Sequence, residues 1–378
     1  MSKIEIRPVR SKKDLKEFIF LPEKIHSGNK NWLPPLYSDE FILFNPRKNK
    51  SFEYCDHILL LAYREGKAVG RIMGLINQRY NELKNERNAR FCFLDSINDS
   101  QVSKTLLGKV EEWAAERKME KVVGPLGFSD KDPQGIQIEG FEYPSVLAAP
   151  NNASYLPGLV EMEGYIKRVD LVDYLADVPS EIPEVYKRVL SRVEIRPDYR
   201  IVEFRKKKEL KPYIIDILEL MNETYSNIYG FVPLTDNEKE DLAKRYMPIL
   251  DPRFIKVFFI EDTLAGFVIA MPDIAKGLMK ARGRLFPFGF IHILRSVRKT
   301  TNLLMLLGAV KEEYRGKGID AIMGAKILES ATRSRMKTLD SHLILEHNTR
   351  MRAEYERIGG KVVKKYRIYQ KDIPVSDK

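Results

Sequence analysis

The sequence repeats one order of strands and helices with a period of about 195 residues. Two apolar strand patterns flank a short turn at 57–77, and a matching pair of strand patterns occurs at 255–273. The terminal strand pattern at 164–177, GYIKRVDLVDYLAD, matches GKVVKKYRIYQKDI at 360–373. A period this long is far beyond that of a solenoid and indicates two copies of one α/β domain.

The repeat divides the chain into two predicted domains. The first covers residues 1–177 and the second 200–378, and a proline-punctuated linker with a short amphipathic helix joins them at 178–199. Each domain begins with a short strand and a basic amphipathic helix, and Ser11 and Asp14 have the spacing that caps the first of these helices. The length of 378 residues agrees with two cores.

Composition excludes several classes of protein. The N-terminus is charged and lacks the apolar segment of a secretory signal, and no run reaches the roughly 18 apolar residues of a membrane span. The two cysteines and five histidines lack the spacing of metal ligands. The sequence therefore predicts a cytoplasmic protein without a metal site.

The net charge of +11 indicates an anionic partner. Nucleic acid, a phospholipid surface and a phosphorylated cofactor all fit this charge, and charge alone does not choose between them.

A glycine loop stands where a strand passes into a helix. The apolar run 302–310 precedes Arg315-Gly316-Lys317-Gly318, and a helical pattern follows from Ile319. Successive backbone N–H groups in such a loop can point into one concavity, and the helix N-terminus adds partial positive charge. The loop matches neither a Walker A motif nor a Rossmann fingerprint. A pyrophosphate is the ligand that it fits best.

The loop and a second motif resemble the GCN5-related N-acetyltransferase (GNAT) superfamily. The family pattern Gln/Arg-x-x-Gly-x-Gly/Ala is met by Arg315 and Gly318, whereas Asp320 departs from it. The family also carries an asparagine at the head of a later helix and a tyrosine seven residues beyond it, as Asn348 and Tyr355 do here. The motifs cover the second half, and the first half resembles the family only through the repeat.

The resemblance implies tandem GNAT-like domains, each a mixed, mostly antiparallel sheet flanked by helices. It also implies acetyl-CoA or another acyl-CoA as co-substrate and an N-acyltransferase reaction, in which an amine attacks the thioester directly. The cofactor-binding positions implied by the resemblance are Leu307, Gly308, Ala309, Val310, Arg315, Gly316, Lys317, Gly318, Ile319 and Asn348.

The resemblance places Tyr355 where the family often has the acid that protonates the leaving thiolate. The alternative is that Tyr355 packs under the turn at Gly359 and Gly360. Glu346, which closes the preceding strand, is the candidate base, and proton loss through water would leave no single base. The charge of Asp320 would weaken pyrophosphate binding unless its carboxylate faces away from the loop or pairs with Arg315 or Lys317, and we expect it to face away.

The first half lacks the glycine loop at the equivalent place. Asp95, Asn98 and Asp99 stand there instead, and their charges would repel phosphates. We therefore expect the first domain to support the fold and to bind no CoA.

Residues 276–301 mix phenylalanines with arginines and lysines and interrupt the second copy. The segment is either a core helix with a solvated basic face, or a site for an acyl chain, an anionic acceptor or an anionic membrane surface. The predicted acceptor is a small-molecule or peptide amine, and no specific nucleic acid is expected.

Two other functions stay open. Transfer from aminoacyl-tRNA by a tandem GNAT-like enzyme fits the basic charge, although the CoA-type loop argues against it. A CoA-binding scaffold or sensor without turnover fits the departure at Asp320. The sequence leaves the acyl length, the acceptor and the oligomeric state undetermined.

Overall fold

A computed structural model describes residues 3–147, 149–194 and 196–374. The chain forms two compact units, each a sheet flanked by helices. The first unit contains the chain up to 172, residues 275–295 and the chain from 363. The second contains residues 173–274 and 296–362.

The elements follow one another in the order that the repeat predicts. The first part of the chain forms β1 (Glu5–Pro8), α1 (Lys12–Ile25), α2 (Tyr37–Leu43), β2 (Cys55–Arg64), β3 (Lys67–Asn77), α3 (Gln78–Lys84), β4 (Asn88–Ser96), α4 (Ser100–Glu116), β5 (Lys121–Gly124), β6 (Ile136–Glu139), α5 (Leu156–Glu161) and β7 (Ile166–Asp177). The remainder forms α6 (Glu184–Glu194), β8 (Tyr199–Glu203), α7 (Lys207–Leu210), α8 (Ile214–Thr224), α9 (Asp236–Tyr246), β9 (Ile255–Ile260), β10 (Thr263–Pro272), α10 (Ala275–Lys280), α11 (Gly289–Lys299), β11 (Asn302–Val310), α12 (Ile319–Arg333), β12 (Thr338–Leu345), α13 (Thr349–Arg357) and β13 (Lys361–Asp372).

Both units have a mixed, mostly antiparallel sheet. In the first unit β1, β2, β3 and β4 are antiparallel neighbours, β4 is parallel to β5, and β5 is antiparallel to β13. In the second unit β8, β9, β10 and β11 are antiparallel neighbours, and β11 is parallel to β12. Both sheets therefore have the same run of antiparallel strands followed by one parallel pair.

Local signals in the sequence form as predicted. Glu65 and Gly66 connect β2 to β3 and have φ angles of +50° and +76°. A two-residue hairpin loop with a type I′ turn requires positive φ angles at both of these positions. The side chain of Ser11 accepts from the N–H of Asp14 at 3.1 Å, and Asp14 accepts from the N–H of Ser11 at 2.9 Å. This reciprocal pair caps α1, as its spacing predicts.

The sheet of the first unit is covered on both faces. Alternate residues of a strand point to opposite faces, and Leu60 and Ile72 lie in a core under α4. Leu61 and Met73, one position along each strand, lie instead in a core with Phe18 of α1. Both faces are apolar, which explains why these strands have continuous hydrophobic runs in the sequence.

The compact units differ from the predicted division at 177 and 200. The C-terminal strand β13 pairs with β5 of the first unit, from Tyr369 opposite Gly124 to Asp372 opposite Lys121. Residues 275–295 also belong to the first unit, whereas the end of β7 belongs to the second. The predicted linker helix is α6, and its Tyr186 packs against Ala325 and Leu328 of α12. A repeat shows that each copy ends in a strand, but not which sheet that strand joins.

No helix within the described ranges is both long and apolar enough to cross a bilayer.

A buried ionic cluster joins three elements of the first unit. Arg71 of β3 donates from Nε to Asp95 of β4 at 2.8 Å and from a terminal nitrogen to the carbonyl of Phe18 at 2.9 Å. His26, at the end of α1, lies 2.7 Å from the other oxygen of Asp95. Burial acts to raise the pKa of Asp95, but Arg71 and His26 outweigh it and lower that pKa to about 2. Asp95 is therefore a charged member of this cluster.

Replacing Arg71 should destabilise the first unit, because Asp95 would keep a buried charge without its main partner. We expect Arg71→Met to lower the free energy of unfolding by about 3–5 kcal/mol in urea denaturation. The control is Arg87→Met, whose arginine is exposed and lies 3.7 Å from Glu120, and its effect should stay below about 0.5 kcal/mol. The contribution of Asp95 should be present above about pH 4 and lost as the pH falls toward 2. Equal destabilisation by the two variants would contradict this account.

Candidate functional site

The parallel pairing of β11 with β12 ends early. Asn302, Leu303 and Leu304 pair with residues 338–340, and the register between these two strands goes no further. On its other side β11 stays paired with β10 as far as Val310. The two parallel strands therefore separate after Leu304, and one backbone edge of residues 305–310 faces the gap.

The middle of β11 is open, although the strand is central in its unit. Met305, Leu306, Leu307 and Gly308 are all partly exposed, whereas eight consecutive residues of the neighbouring β10, 265–272, are buried. The register between β10 and β11 also shifts beside Ile269, which leaves a bulge in this part of the sheet. The predicted cofactor strand therefore lines a gap that a ligand can enter.

Tyr225, which follows α8, occupies the backbone edge of Gly308. The N–H of Gly308 donates to the Tyr225 hydroxyl at 3.1 Å, and that hydroxyl lies 3.1 Å from the carbonyl oxygen of Gly308. A Cβ built on Gly308 would meet no atom closer than 3.6 Å, so the glycine is not required by local crowding. Sequence reasoning missed Tyr225, since nothing in its neighbourhood marks it as part of a site.

The glycine loop has the geometry of an anion cradle. Gly316 and Gly318 have φ angles of +79° and +81°, which side chains rarely adopt, and the space beside both is open. The N–H groups of Gly316, Gly318, Ile319 and Asp320 donate no hydrogen bond within the described part of the chain. The N-cap Gly318 supplies no side chain to α12, so the positive end of a 15-residue helix stays open to an anion.

Two cations stand beside this cradle. Arg315 and Lys317 are both exposed, and Lys317 lies over the ring of Tyr314 at 4.9 Å from its centroid. Arg315 reaches back to the carbonyl of Val310 at 3.3 Å, which holds its side chain at the end of β11. The strand edge and the cradle are therefore continuous along the chain.

Asp320 pairs with Arg350, which sequence reasoning missed. Arg350 donates to Oδ2 of Asp320 at 2.8 and 3.2 Å, and Oδ1 of Asp320 accepts from the N–H of Ala321 at 3.1 Å. The predicted alternatives were a carboxylate that faces away or one that pairs with Arg315 or Lys317. Arg350 lies in α13, thirty residues further on. Its positive charge neutralises the carboxylate of Asp320, the residue that departs from the family pattern.

The second motif lies on α13. Asn348 is its N-cap, and the side-chain oxygen accepts from the N–H of Met351 at 3.2 Å. Tyr355 is buried, and its ring stacks on that of Tyr174 with centroids 5.8 Å apart. The carbonyl of Tyr355 accepts from the N–H of Gly360 at 2.8 Å, so this residue also packs under the glycine turn.

Burial raises the pKa of the Tyr355 phenol, and the buried carboxylates Asp340 and Asp173 add to this effect. The phenol is therefore protonated at neutral pH. Asp340 is itself held in place, since it accepts from the N–H of His342 at 3.0 Å.

Glu346 lies directly after β12, where its carbonyl accepts from Arg352 at 2.9 Å. Arg352 also donates to the hydroxyl of Tyr174 at 3.0 Å, and Tyr174 donates to Glu356 at 2.6 Å. Arg352 thus ties Glu346 to α13 and to the end of β7. The role of Glu346 as a base stays a prediction.

In the first copy an acidic side chain caps the N-terminus of the equivalent helix. Asp99 is the N-cap of α4, where it accepts from the N–H of Gln101 at 2.9 Å and from Arg64 at 2.7 Å. A carboxylate therefore occupies the helix end that is open in the second copy. Asp95 belongs to the buried cluster rather than to this loop. Among the described residues, no group of three or more His, Cys, Asp and Glu is placed to hold a metal ion.

Comparisons with known proteins agree with this arrangement. A tandem GNAT protein from the clavulanic acid biosynthesis pathway superposes with a TM-score of 0.57 at 13% identity, over 99% of this chain and 100% of that one. A GCN5-related N-acetyltransferase from Sphaerobacter thermophilus gives a TM-score of 0.52 at 13% identity, over 99% and 98% of the two chains. The chain has the GNAT fold. The predicted fold class is thereby confirmed.

One curated relative is similar over nearly its whole length. The chain is 28% identical to a bacterial ceramide synthase of Caulobacter vibrioides over 375 residues, which is 97% of each protein. No protein-family profile matches the sequence.

The pair between Asp320 and Arg350 should matter for anion binding. We expect Arg350→Met to weaken binding of pyrophosphate about fivefold, because the carboxylate beside the open helix end would lose its counter-charge. Asp320→Asn combined with Arg350→Met should restore the affinity. Calorimetric titration with pyrophosphate at low salt measures both.

Arg335→Met is the control, since Arg335 is exposed and follows the opposite end of α12. If Arg350→Met binds pyrophosphate like this control, Asp320 does not act on the cradle.

Proposed function

We propose that the protein is an acyl-CoA-dependent N-acyltransferase whose acceptor is a long-chain amino lipid. The observation that carries the proposal is the direct continuity of an open strand edge, residues 305–310, with a loop in which, among the described residues, the N–H groups of Gly316, Gly318, Ile319 and Asp320 donate no hydrogen bond. An acyl-CoA has a matching order of groups, with an acyl-pantetheine arm at one end of its pyrophosphate. The GNAT fold supports acyl transfer in general.

The pyrophosphate would bind at the start of α12. Gly316 and Gly318 allow a phosphate to approach the backbone, and the helix dipole and the N–H groups favour its charge. Arg315 and Lys317 supply full positive charges on the same loop. Arg350 removes the competing charge of Asp320. Of the other predicted positions, Ile319 follows the loop directly as the first residue of α12, and Asn348 is the N-cap of α13, the helix whose Arg350 pairs with Asp320.

The pantetheine arm would run along β11. Leu307, Ala309 and Val310 offer backbone groups and side chains along the strand, and Gly308 leaves room above it. The thioester carbonyl oxygen would accept a hydrogen bond in place of one of the two hydrogen bonds between Gly308 and Tyr225. The N–H of Gly308 and the hydroxyl of Tyr225 are donors that could then stabilise the oxyanion of the tetrahedral intermediate.

The reaction forms one C–N bond and breaks one C–S bond. The neutral amine attacks the thioester carbon, the intermediate collapses, and the sulfur leaves with the bonding electron pair. The amide nitrogen loses one proton to water or to Glu346, and the thiolate gains one. Tyr355 would supply the latter proton, since its phenol is protonated at neutral pH, and its raised pKa works against this transfer.

The acceptor is proposed from the relative. Ceramide is the amide of a fatty acid with a long-chain amino alcohol, so its synthesis is an N-acylation of a lipid amine. The similarity to the bacterial ceramide synthase extends over 97% of both chains, which includes the whole of the cradle and α13. A long-chain amino alcohol and a fatty acyl-CoA are therefore the first substrates to test.

Reversing the charge at the cradle should abolish binding of acyl-CoA. We expect Arg315→Glu to lower the affinity for acetyl-CoA and for longer acyl-CoAs below detection by calorimetry, since a carboxylate would face the pyrophosphate. Arg335→Glu is the control, because Arg335 is exposed and follows the opposite end of α12. Failure of the unchanged protein to bind any acyl-CoA would overturn the proposal.

Removing either phenol hydroxyl should slow turnover without weakening binding. We expect Tyr355→Phe to lower kcat about 100-fold and to keep the affinity for acyl-CoA. Because its pKa is raised above the ordinary value of about 10, this loss should be equal at every pH from about 6 to 9. Tyr225→Phe should lower kcat about tenfold or more through the lost donor.

Mass spectrometry of the amide formed from a long-chain amino alcohol and a fatty acyl-CoA measures these rates. Unchanged kcat in Tyr355→Phe would assign that residue to packing alone. Binding of acyl-CoA with no amide formed from any amine tested would favour a CoA-binding scaffold instead.

A further inference from the structure

Large apolar side chains are exposed together in one segment of the first unit. Phe286, Phe288, Phe290 and Leu294 are 81%, 68%, 42% and 57% exposed. Phe286 and Phe290 have their ring centroids 6.4 Å apart, and Phe290 and Leu294 are one helical turn apart on α11. We call these four residues the apolar tip. Exposed apolar clusters of this kind mark surfaces that bind another protein, a membrane or a ligand.

The same segment has a charge of one sign. Between Ala275 and Thr301 the sequence has no acidic residue and seven basic ones, Lys276, Lys280, Arg282, Arg284, Arg295, Arg298 and Lys299. Arg284 pairs with Glu23 at 2.8 Å, and within the described chain the other six make no ion pair. A shallow depression beside Arg284 is lined by Lys13, Lys16 and Lys24 of α1, and also by Glu17 and Glu23.

The backbone beneath the apolar tip is anchored in the first unit. The N–H of Tyr37 donates to the carbonyl of Gly283 at 3.0 Å, and a Cβ on Gly283 would lie 2.2 Å from the carbonyl oxygen of Pro35. Ile293 packs inward with Leu278 of α10. The inner side of the segment is therefore fixed, and Phe290 and Leu294 stand on the outer side of the same helix.

We propose that this segment, residues 280–299, docks on an anionic lipid bilayer. The apolar tip would enter the interface between headgroups and acyl chains, while the surrounding arginines and lysines contact lipid phosphates. Nucleic acid would also attract the cations, but the aliphatic Leu294, which follows Phe290 by one turn of α11, has no base-stacking role. The observations that carry this inference are independent of the proposed acyl transfer.

Flotation with vesicles tests the proposal on the full-length protein. At an ionic strength of about 0.15 M, we expect binding to vesicles of phosphatidylcholine with phosphatidylglycerol, and at least about tenfold weaker binding to phosphatidylcholine alone. Replacing Phe286, Phe288 and Leu294 by serine should lower binding to the anionic vesicles about tenfold or more. Replacing Arg282 and Arg295 by glutamine should also weaken binding and reduce its dependence on salt.

The control replaces Met162 and Ile166 by serine, since these side chains are 72% and 63% exposed in the same unit. It should bind vesicles like the unchanged protein. A Phe288→Trp variant should show a blue-shifted emission only with anionic vesicles, which reports insertion directly.

Absence of binding to anionic vesicles overturns the proposal, as does equal loss in the control. Salt-sensitive binding of transfer RNA that the serine variant keeps would assign the segment to nucleic acid instead. Acyl transfer to a short, water-soluble amine separates this inference from the proposed function, because the serine variant should keep that activity if docking alone is lost.

Discussion

The early separation of β11 from β12 is the constraint on which the candidate site depends. A central strand normally satisfies its backbone groups on both sides, but the described pairing of β11 with β12 ends at Leu304. The fold fills part of this edge with the Tyr225 hydroxyl, which meets both the N–H and the carbonyl of Gly308. A single hydroxyl is a small and replaceable partner. The gap can therefore be stable without a ligand and still offer backbone groups to one.

The two copies differ in how the equivalent helix starts. In the second copy the N-cap is Gly318, with no side chain and a left-handed backbone, so the N–H groups of α12 face outward. In the first copy Asp99 caps α4 and pairs with Arg64. The carboxylate satisfies the helix from within the chain and would repel a phosphate. The two helix starts thus differ in that one is capped by an acidic side chain of the chain itself and the other has no side-chain cap.

Much of the fold could be predicted from the sequence, because its signals are local. The hairpin at Glu65 and Gly66, the capping pair at Ser11, and the order of strand, glycine loop and helix depend on neighbouring residues only. Features set by long-range packing could not be predicted. Arg350 meets Asp320 across thirty residues, and Tyr225 meets Gly308 across eighty-three. No spacing in the sequence points to either pair.

Tyr174 shows that the sequence repeat does not coincide with a compact unit of the structure. It lies near the end of the first copy's last strand, yet it belongs to the second unit, where it stacks on Tyr355 and bonds to Arg352 and Glu356. A fragment that began at residue 200 would contain both GNAT motifs but would lack Tyr174. It would also carry β13 without β5, the strand with which it pairs. Because each compact unit takes residues from both halves of the sequence, neither half alone contains a complete unit.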